Sequence, residues 1–161
     1  MAMIRLRPFR VTDVARLHEV FHSSVHGLAC DWYSAEQLAA WAPHDYDAVA
    51  WARRLQQARP WVAEREGSII GYADLQPDGY IDQFFVAAEA AGCGVGTALM
   101  QNLLQQAAVR GLAQVHADVS RAAEGFFGRY GFVVECVQTV VVRGVPLQNA
   151  RMVLSLSGAG S

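Results

Sequence analysis

The sequence contains no lysine; its thirteen basic residues are all arginine. That reads as coding bias. It also denies the chain the Gly-Lys-Ser/Thr end that a nucleotide-binding P-loop requires. Cysteine is scarce: Cys30, Cys93 and Cys136 are odd in number and show neither CxxC nor Cys/His spacing. A disulfide framework and a zinc finger are therefore not indicated, and a cytoplasmic, reducing compartment is expected. No long apolar run is present, and Arg5, Arg7 and Arg10 interrupt the first hydrophobic stretch, so neither a signal peptide nor a membrane anchor is expected. Net charge is only -2. A chain without a cationic field has no general attraction for nucleic acid or anionic membranes, and neither is expected as a partner.

What is present is apolar and patterned. Hydrophobic residues make up 53% of 161 positions and charged residues only 17%, enough for one domain to bury a core without metal or disulfides. That domain is expected over residues 1–156, with 157–161 a disordered tail. Residues 3–7 alternate like a strand, and Pro8 stops it before Thr12 or Asp13 caps a helix from Val14 to about Val25. Ser34 and Gln37 form a capping box for a short helix through Trp41, ended by Pro43. Asp45 is expected to cap the next, about Tyr46 to Gln57.

After Pro60 the period changes to two. Strands are expected at 61–64, 68–75 and 80–86, with turns at Glu66-Gly67 and Pro77-Asp78-Gly79. The helix from Thr97 to Arg110 carries Val95, Leu99, Leu103 and Ala107 on one stripe and ends at Gly111. A strand at 114–119, a helix at 122–130 capped by Ser120, a strand at 132–142, a turn at Gly144-Val145-Pro146 and a strand at 149–155 complete an α+β domain. Only the unit from Tyr80 to Val119 allows a parallel crossover.

Glycines 92, 94 and 96 lie between a strand and a helix N-terminus. Without Cβ atoms, backbone N–H groups there can surround an anion that the helix dipole also favours. A GxGxG turn alone does not say which phosphate; here it follows the fourth strand, not the first strand of a dinucleotide fold. The stretch from Phe85 to Met100 resembles the acyl-CoA-binding motif of the GNAT superfamily. The resemblance implies that Phe85 and Val86 pair with pantetheine and that Cys93, Gly94, Val95, Gly96 and Thr97 hold the pyrophosphate of acetyl-CoA. Ala91 and Cys93 depart from the family pattern, which carries a long polar residue at the first position. The Cys93 thiol is expected to be buried and inert, with a mixed disulfide to CoA the competing reading.

Residues 119–132 resemble the family's second recurrent segment. Ser120 stands where the family has asparagine, able to cap the helix or bond pantetheine. Phe127 occupies the place of the tyrosine that protonates the departing thiolate, which phenylalanine cannot do; Tyr130, one turn on, is the candidate substitute, and water the alternative. The resemblance implies a single domain on a mixed, mostly antiparallel sheet of about seven strands with helices on both faces. It also implies transfer of an acetyl group to the primary amine of a small molecule or peptide, in a ternary complex. A catalytically idle acyl-CoA-binding or regulatory domain is the rival reading, suggested by Phe127.

Amine attack needs a base, and Tyr80, Asp82, Phe84 and Val86 share a face if the strand is unbroken. Asp82 is the candidate base; an ordinary strand aspartate paired with arginine competes with it. His116 and Asp118 form a weaker second constellation. The family's first helices cover the acceptor, which makes His26, Trp32, Tyr33, Trp41 and Tyr80 candidate substrate contacts; residues 33–41 resemble a segment found in a bacterial branch. His18-Glu19-Val20-Phe21-His22 matches HExxH, but it lacks a fold built around a further ligand, so a polar helix face is expected and no metal. The open sheet edges leave a homodimer unresolved by sequence.

Overall fold

The computed structural model describes residues 3–156, so the tail 157–161 lies outside the described residues. The elements are β1 (Ile4–Pro8), α1 (Val14–Leu28), α2 (Ala35–Trp41), α3 (Ala48–Ala58), β2 (Trp61–Arg65), β3 (Ser68–Ala73), β4 (Tyr80–Ile81), β5 (Phe84–Val86), α4 (Val95–Val109), β6 (Gln114–Ser120), α5 (Glu124–Arg129), β7 (Val133–Val142) and β8 (Val145–Ser155). They form two four-stranded sheets, ordered β1-β2-β3-β5 and β4-β6-β8-β7. Every pairing is antiparallel except β4 with β6, the expected crossover.

Eight strands appear rather than seven because the segment 80–86 breaks at Asp82-Gln83. One carboxylate oxygen of the fully buried Asp74 accepts the N–H of Asp82 at 2.9 Å and of Gln83 at 2.8 Å. Those two donors are withdrawn from any ladder, so β4 joins β6 while β5 joins β3. The face also changes at the break: Ile81 packs into the same cluster as Phe84 and Val86, while Phe85 packs into the opposite one. The single face expected for Tyr80, Asp82, Phe84 and Val86 is thus interrupted.

Alternation across β2 and β3 builds a core on both faces of the first sheet. Val62 and Tyr72 point to the cluster of α1, α2 and α3; Ala63 and Ala73 point to the cluster of α4. The α4 stripe of Val95, Leu99, Leu103 and Ala107 is at most 1% exposed, and each buried leucine contributes roughly 2 kcal/mol. Gly111, at φ +69°, ends that helix as expected. The Ser34/Gln37 capping box forms.

Other boundaries differ for local reasons. Asp13 does not cap α1; its carboxylate bonds the Arg7 guanidinium at 2.9 Å and the Arg10 N–H at 2.8 Å. Asp47, not Asp45, caps α3, accepting the Ala50 N–H at 3.0 Å. Tyr46 is held outside that helix by stacking on His18. Ser120 is no N-cap: it ends β6 opposite Asn149, and α5 begins only at Glu124. The β7–β8 turn is Arg143-Gly144, both with positive φ, as a two-residue hairpin needs. Pro146 therefore lies in β8 rather than in the turn.

Candidate active site

Because β4 pairs with β6 and β5 does not, the outer edge of β5 is left unpaired beside a gap between the sheets. Two cavities open along this gap. The smaller, about 190 Å³, has Phe84, Phe85 and Val86 on one side, Ser120, Ala123, Phe126 and Phe127 on the other, and Gly96 at one end. The larger, about 440 Å³, lies between α1, α3 and the strands β6 and β8. They share three wall residues: Trp41, Phe85 and Ser120.

The glycine turn is built as its sequence predicts. Gly92 and Gly94 adopt φ of +77° and +86°, conformations that cost residues with a Cβ about 1–2 kcal/mol. Gly96 serves a different purpose: a Cβ there would meet the Phe126 ring at 3.1 Å. Gly94 precedes α4 without any side-chain cap, so the first-turn N–H groups of Val95, Gly96 and Thr97 lack partners within the helix. Uncapped donors, positive helix dipole and absent side chains together are able to hold an anion. The Cys93 thiol is exposed, which corrects the expectation of a buried one, since the turn stands clear of the core.

Phe127 is 4% exposed and packs edge-on against Phe84 and Phe132, at centroid distances of 5.6 and 5.0 Å. Tyr130 donates its hydroxyl proton to Thr97 Oγ1 at 3.0 Å and lines neither cavity. It braces the glycine-turn helix and stands away from the shared walls. Among the described residues, Ser120 supplies the only hydroxyl that the two cavities have in common.

The larger cavity has one aromatic and one polar wall. On the first, Tyr46 stacks on His18 at 3.4 Å, Trp51 meets His18 edge-on at 5.1 Å, and Phe21 stacks on Trp51 at 5.4 Å. Burial, and then the neighbouring His22, hold the His18 pKa below its ordinary value, so this ring is neutral. On the polar wall stand Asp118, Ser120, Gln148 and Asn149. Asp118 accepts the Tyr80 hydroxyl at 3.1 Å and Gln138 Nε2 at 2.8 Å. Burial and that carboxylate push the Tyr80 pKa well up, so Tyr80 stays protonated as a donor.

Asp82 also lines this cavity, paired with Arg54 through one carboxylate oxygen at 3.1 and 3.2 Å. Asp82 is thus paired with an arginine, as one of its two sequence readings expects, and it also faces the cavity. His116 is buried behind Tyr80 with its Nδ1 unpartnered, outside the cavity.

Of the expected acceptor contacts, Tyr33 and Trp41 line the larger cavity. Tyr33 also ties three elements together, donating to the Gln148 carbonyl at 2.5 Å and accepting the Arg121 N–H at 2.9 Å. Trp32 is 47% exposed under the Arg121 guanidinium, and neither it, His26 nor Tyr80 lines either cavity. His26 Nε2 donates to the Ala42 carbonyl at 2.7 Å, pinning the loop after α2. The HExxH histidines stack instead of converging: His22 lies face to face with His26 at 4.2 Å, and His18 with Tyr46. Among the described residues, no group of three or more His, Cys, Asp or Glu side chains is disposed to hold a metal ion. Nor does any described helix have the length and apolarity to cross a membrane.

Sequence reasoning missed Tyr46, Trp51, Arg54 and Asn149. Trp51 and Leu55 are the buried positions of α3 and read locally as core, while Asn149 gains meaning only from its pairing with Ser120.

This architecture is shared. A family profile for the acetyltransferase (GNAT) domain matches residues 30–154. The uncharacterized N-acetyltransferase YafP of Escherichia coli (strain K12) is 31% identical over 152 residues, covering 94% of this chain and 96% of that protein. A GCN5-related N-acetyltransferase from Rhodopseudomonas palustris superposes with a TM-score of 0.91 at 35% identity, covering 97% of this chain and 98% of the other. The PaiA N-acetyltransferase of Thermoplasma acidophilum, solved in complex with coenzyme A, shares the fold at 18% identity and a TM-score of 0.73, over 95% and 99% of the two chains. The chain belongs to the GNAT acetyltransferase family.

Proposed function

We propose that this protein moves an acetyl group from acetyl-CoA to the primary amine of a small molecule or peptide, by direct transfer within a ternary complex. One observation carries the reading: the smaller cavity, running from the glycine cradle, and the larger one meet at Trp41, Phe85 and Ser120. A ligand held along the first presents its far end to whatever fills the second, without a covalent intermediate on the protein.

The cradle fits the cosubstrate by its own geometry. Val95, Gly96 and Thr97 offer uncapped N–H groups, and a Cβ at 96 would close the space against Phe126. The free edge of β5 offers Val86 for pairing with an extended amide chain. When bound, acetyl-CoA supplies an activated acyl carbonyl. Phe84, Phe126 and Phe127 exclude water from that channel. Asp82, open to the larger cavity and paired with Arg54, receives the proton of the incoming ammonium. With Phe127 lacking a hydroxyl and Tyr130 engaged by Thr97, Ser120 Oγ is the side-chain hydroxyl placed to pass a proton where the two cavities join.

The test is release of free thiol from acetyl-CoA by purified protein across panels of amines, polyamines, amino acids and peptides. Turnover that falls at least a hundredfold in Asp82→Asn, with the KM for acetyl-CoA unchanged, supports the assignment. Calorimetric binding of CoA without turnover on any amine would establish the idle, regulatory reading instead.

A further inference from the structure

The two cavities meet without merging, because two rings stand between them. Trp41 and Phe85 line both cavities, and their ring centres lie 6.3 Å apart, tilted by 59°. A hydrocarbon chain passing between two rings makes carbon–carbon contacts of about 3.5–4.0 Å on each side, so it needs roughly 7–8 Å. The pair therefore closes that route. The third shared residue, Ser120, marks the side that stays open.

Both rings are braced from behind. Phe85 belongs to β5 and meets Phe21 edge-on at 4.9 Å. Trp41 is the last residue of α2 and meets Tyr33 edge-on at 5.6 Å; the Tyr33 hydroxyl is itself bonded to the Gln148 carbonyl and the Arg121 N–H. The carbonyls on either side of Trp41 are also tied. That of Ala40 accepts from Arg143 and that of Ala42 from His26, each at 2.7 Å. An indole held between two anchored neighbours is a fixed wall, not a lid.

The surfaces in front of this wall and beyond Ser120 differ. On the cosubstrate side, Val25 and Ala29 of α1 bound an apolar space. Beyond Ser120 the larger cavity presents Asp118, Gln148 and Asn149. An acyl group that ends at the rings buries its methyl. Each further methylene has to turn past Ser120, where it meets polar groups and occupies the approach of the amine. It thereby forgoes the roughly fourfold gain in affinity that burying a methylene brings.

Resting on the acyl-transfer reading, we infer that Trp41 sets the length of the donor: braced against Phe85, it admits acetyl-CoA and rejects acyl-CoA donors of four or more acyl carbons. Trp41 is then a specificity-determining residue for the acyl group.

Calorimetric titration of the wild type, Trp41→Phe and Trp41→Ala with acetyl-CoA and butyryl-CoA needs no amine. The wild type should bind butyryl-CoA at least fivefold more weakly than acetyl-CoA. Trp41→Ala opens apolar room for both extra methylenes and should lower that ratio at least fivefold, with Trp41→Phe between the two. A ratio of Kd values within one preparation does not depend on the folded fraction, so a poorly folding variant still reports. Equal affinities in the wild type, or a ratio unchanged in Trp41→Ala, would overturn the inference. Thiol release across the amine panel separates it from the transfer reading. Equal turnover of acetyl- and butyryl-CoA would sink the donor wall and leave transfer standing. The expected binding ratios without turnover on any amine would support the wall and sink transfer, and failure of both acyl-CoA ligands to bind would overturn both.

Discussion

The Asp74 carboxylate, fully buried, accepts the backbone N–H of Gln83 at 2.8 Å. The same oxygen takes the Asp82 N–H, so one side chain fixes the corner where a strand divides between two sheets and where Asp82 turns toward the cavity. Asp74→Ala leaves both donors buried and unpaired, and is expected to cost roughly 2–4 kcal/mol. Asp74→Asn retains an accepting oxygen and is expected to recover most of that loss. Chemical denaturation of the two variants measures the difference, and the alanine variant should also lose kcat because Asp82 is no longer aimed.

The same carboxyl makes stability depend on pH. Burial raises the Asp74 pKa from 3.8 to about 6. Its folded pKa thus lies above its unfolded one, so its contribution is fully present below pH 3.8 and is lost as pH rises through about 6. Relative to the wild type, Asp74→Asn should gain stability as pH goes from 4 to 7, by at most about 3 kcal/mol at 1.36 kcal/mol per unit. A relative stability that stays flat over that interval would contradict the burial of this charge.

Histidine 22 works in the opposite direction. Burial, followed by His26 and His44, lowers its pKa from 6.5, and its Nε2 has no partner. The stability it contributes is present above pH 6.5 and is lost as pH falls through the depressed folded value. His22→Phe keeps a ring in the stack with His26 and His44 and removes the proton. Its melting temperature should therefore fall less than that of the wild type between pH 7.5 and 5.5, as followed by circular dichroism.

Glycine 96 separates cradle geometry from backbone strain. Gly96→Val drives a side chain into the Phe126 ring and should weaken acetyl-CoA binding at least tenfold, about 1.4 kcal/mol. Gly111→Ala instead strains a positive φ, with open space around it, and lies at the far end of the same helix. It should lower the melting temperature and leave binding unchanged; isothermal titration of both variants checks the contrast.

Features encoded within a few residues were legible in the sequence. The Gly92 to Gly96 turn, the four-residue stripe of α4 and the Ser34/Gln37 box depend on local geometry, and the structure shows all three. The break at Asp82-Gln83 was not legible, because its cause, Asp74, sits eight and nine residues away and acts only once folded. Asp45 and Asp47 are equivalent as local caps; the stacking of Tyr46 on His18 decides between them. For the same reason the aromatic wall was invisible: His18, Tyr46 and Trp51 come from three separate segments, and locally His18 reads as part of a polar helix face and Tyr46 as the start of the next helix.

Among the described residues, no backbone ladder crosses from one four-stranded sheet to the other. The chain passes between the halves through residues 74–79, at 82–83 and through α4, and side chains pack around these crossings. Mechanically, this is a seam that runs through the centre of the domain instead of around its rim. A molecule lying along the open edge of β5 would bridge that seam, and its arrival should slow amide hydrogen exchange on both sheets together, although it touches only a few residues of each.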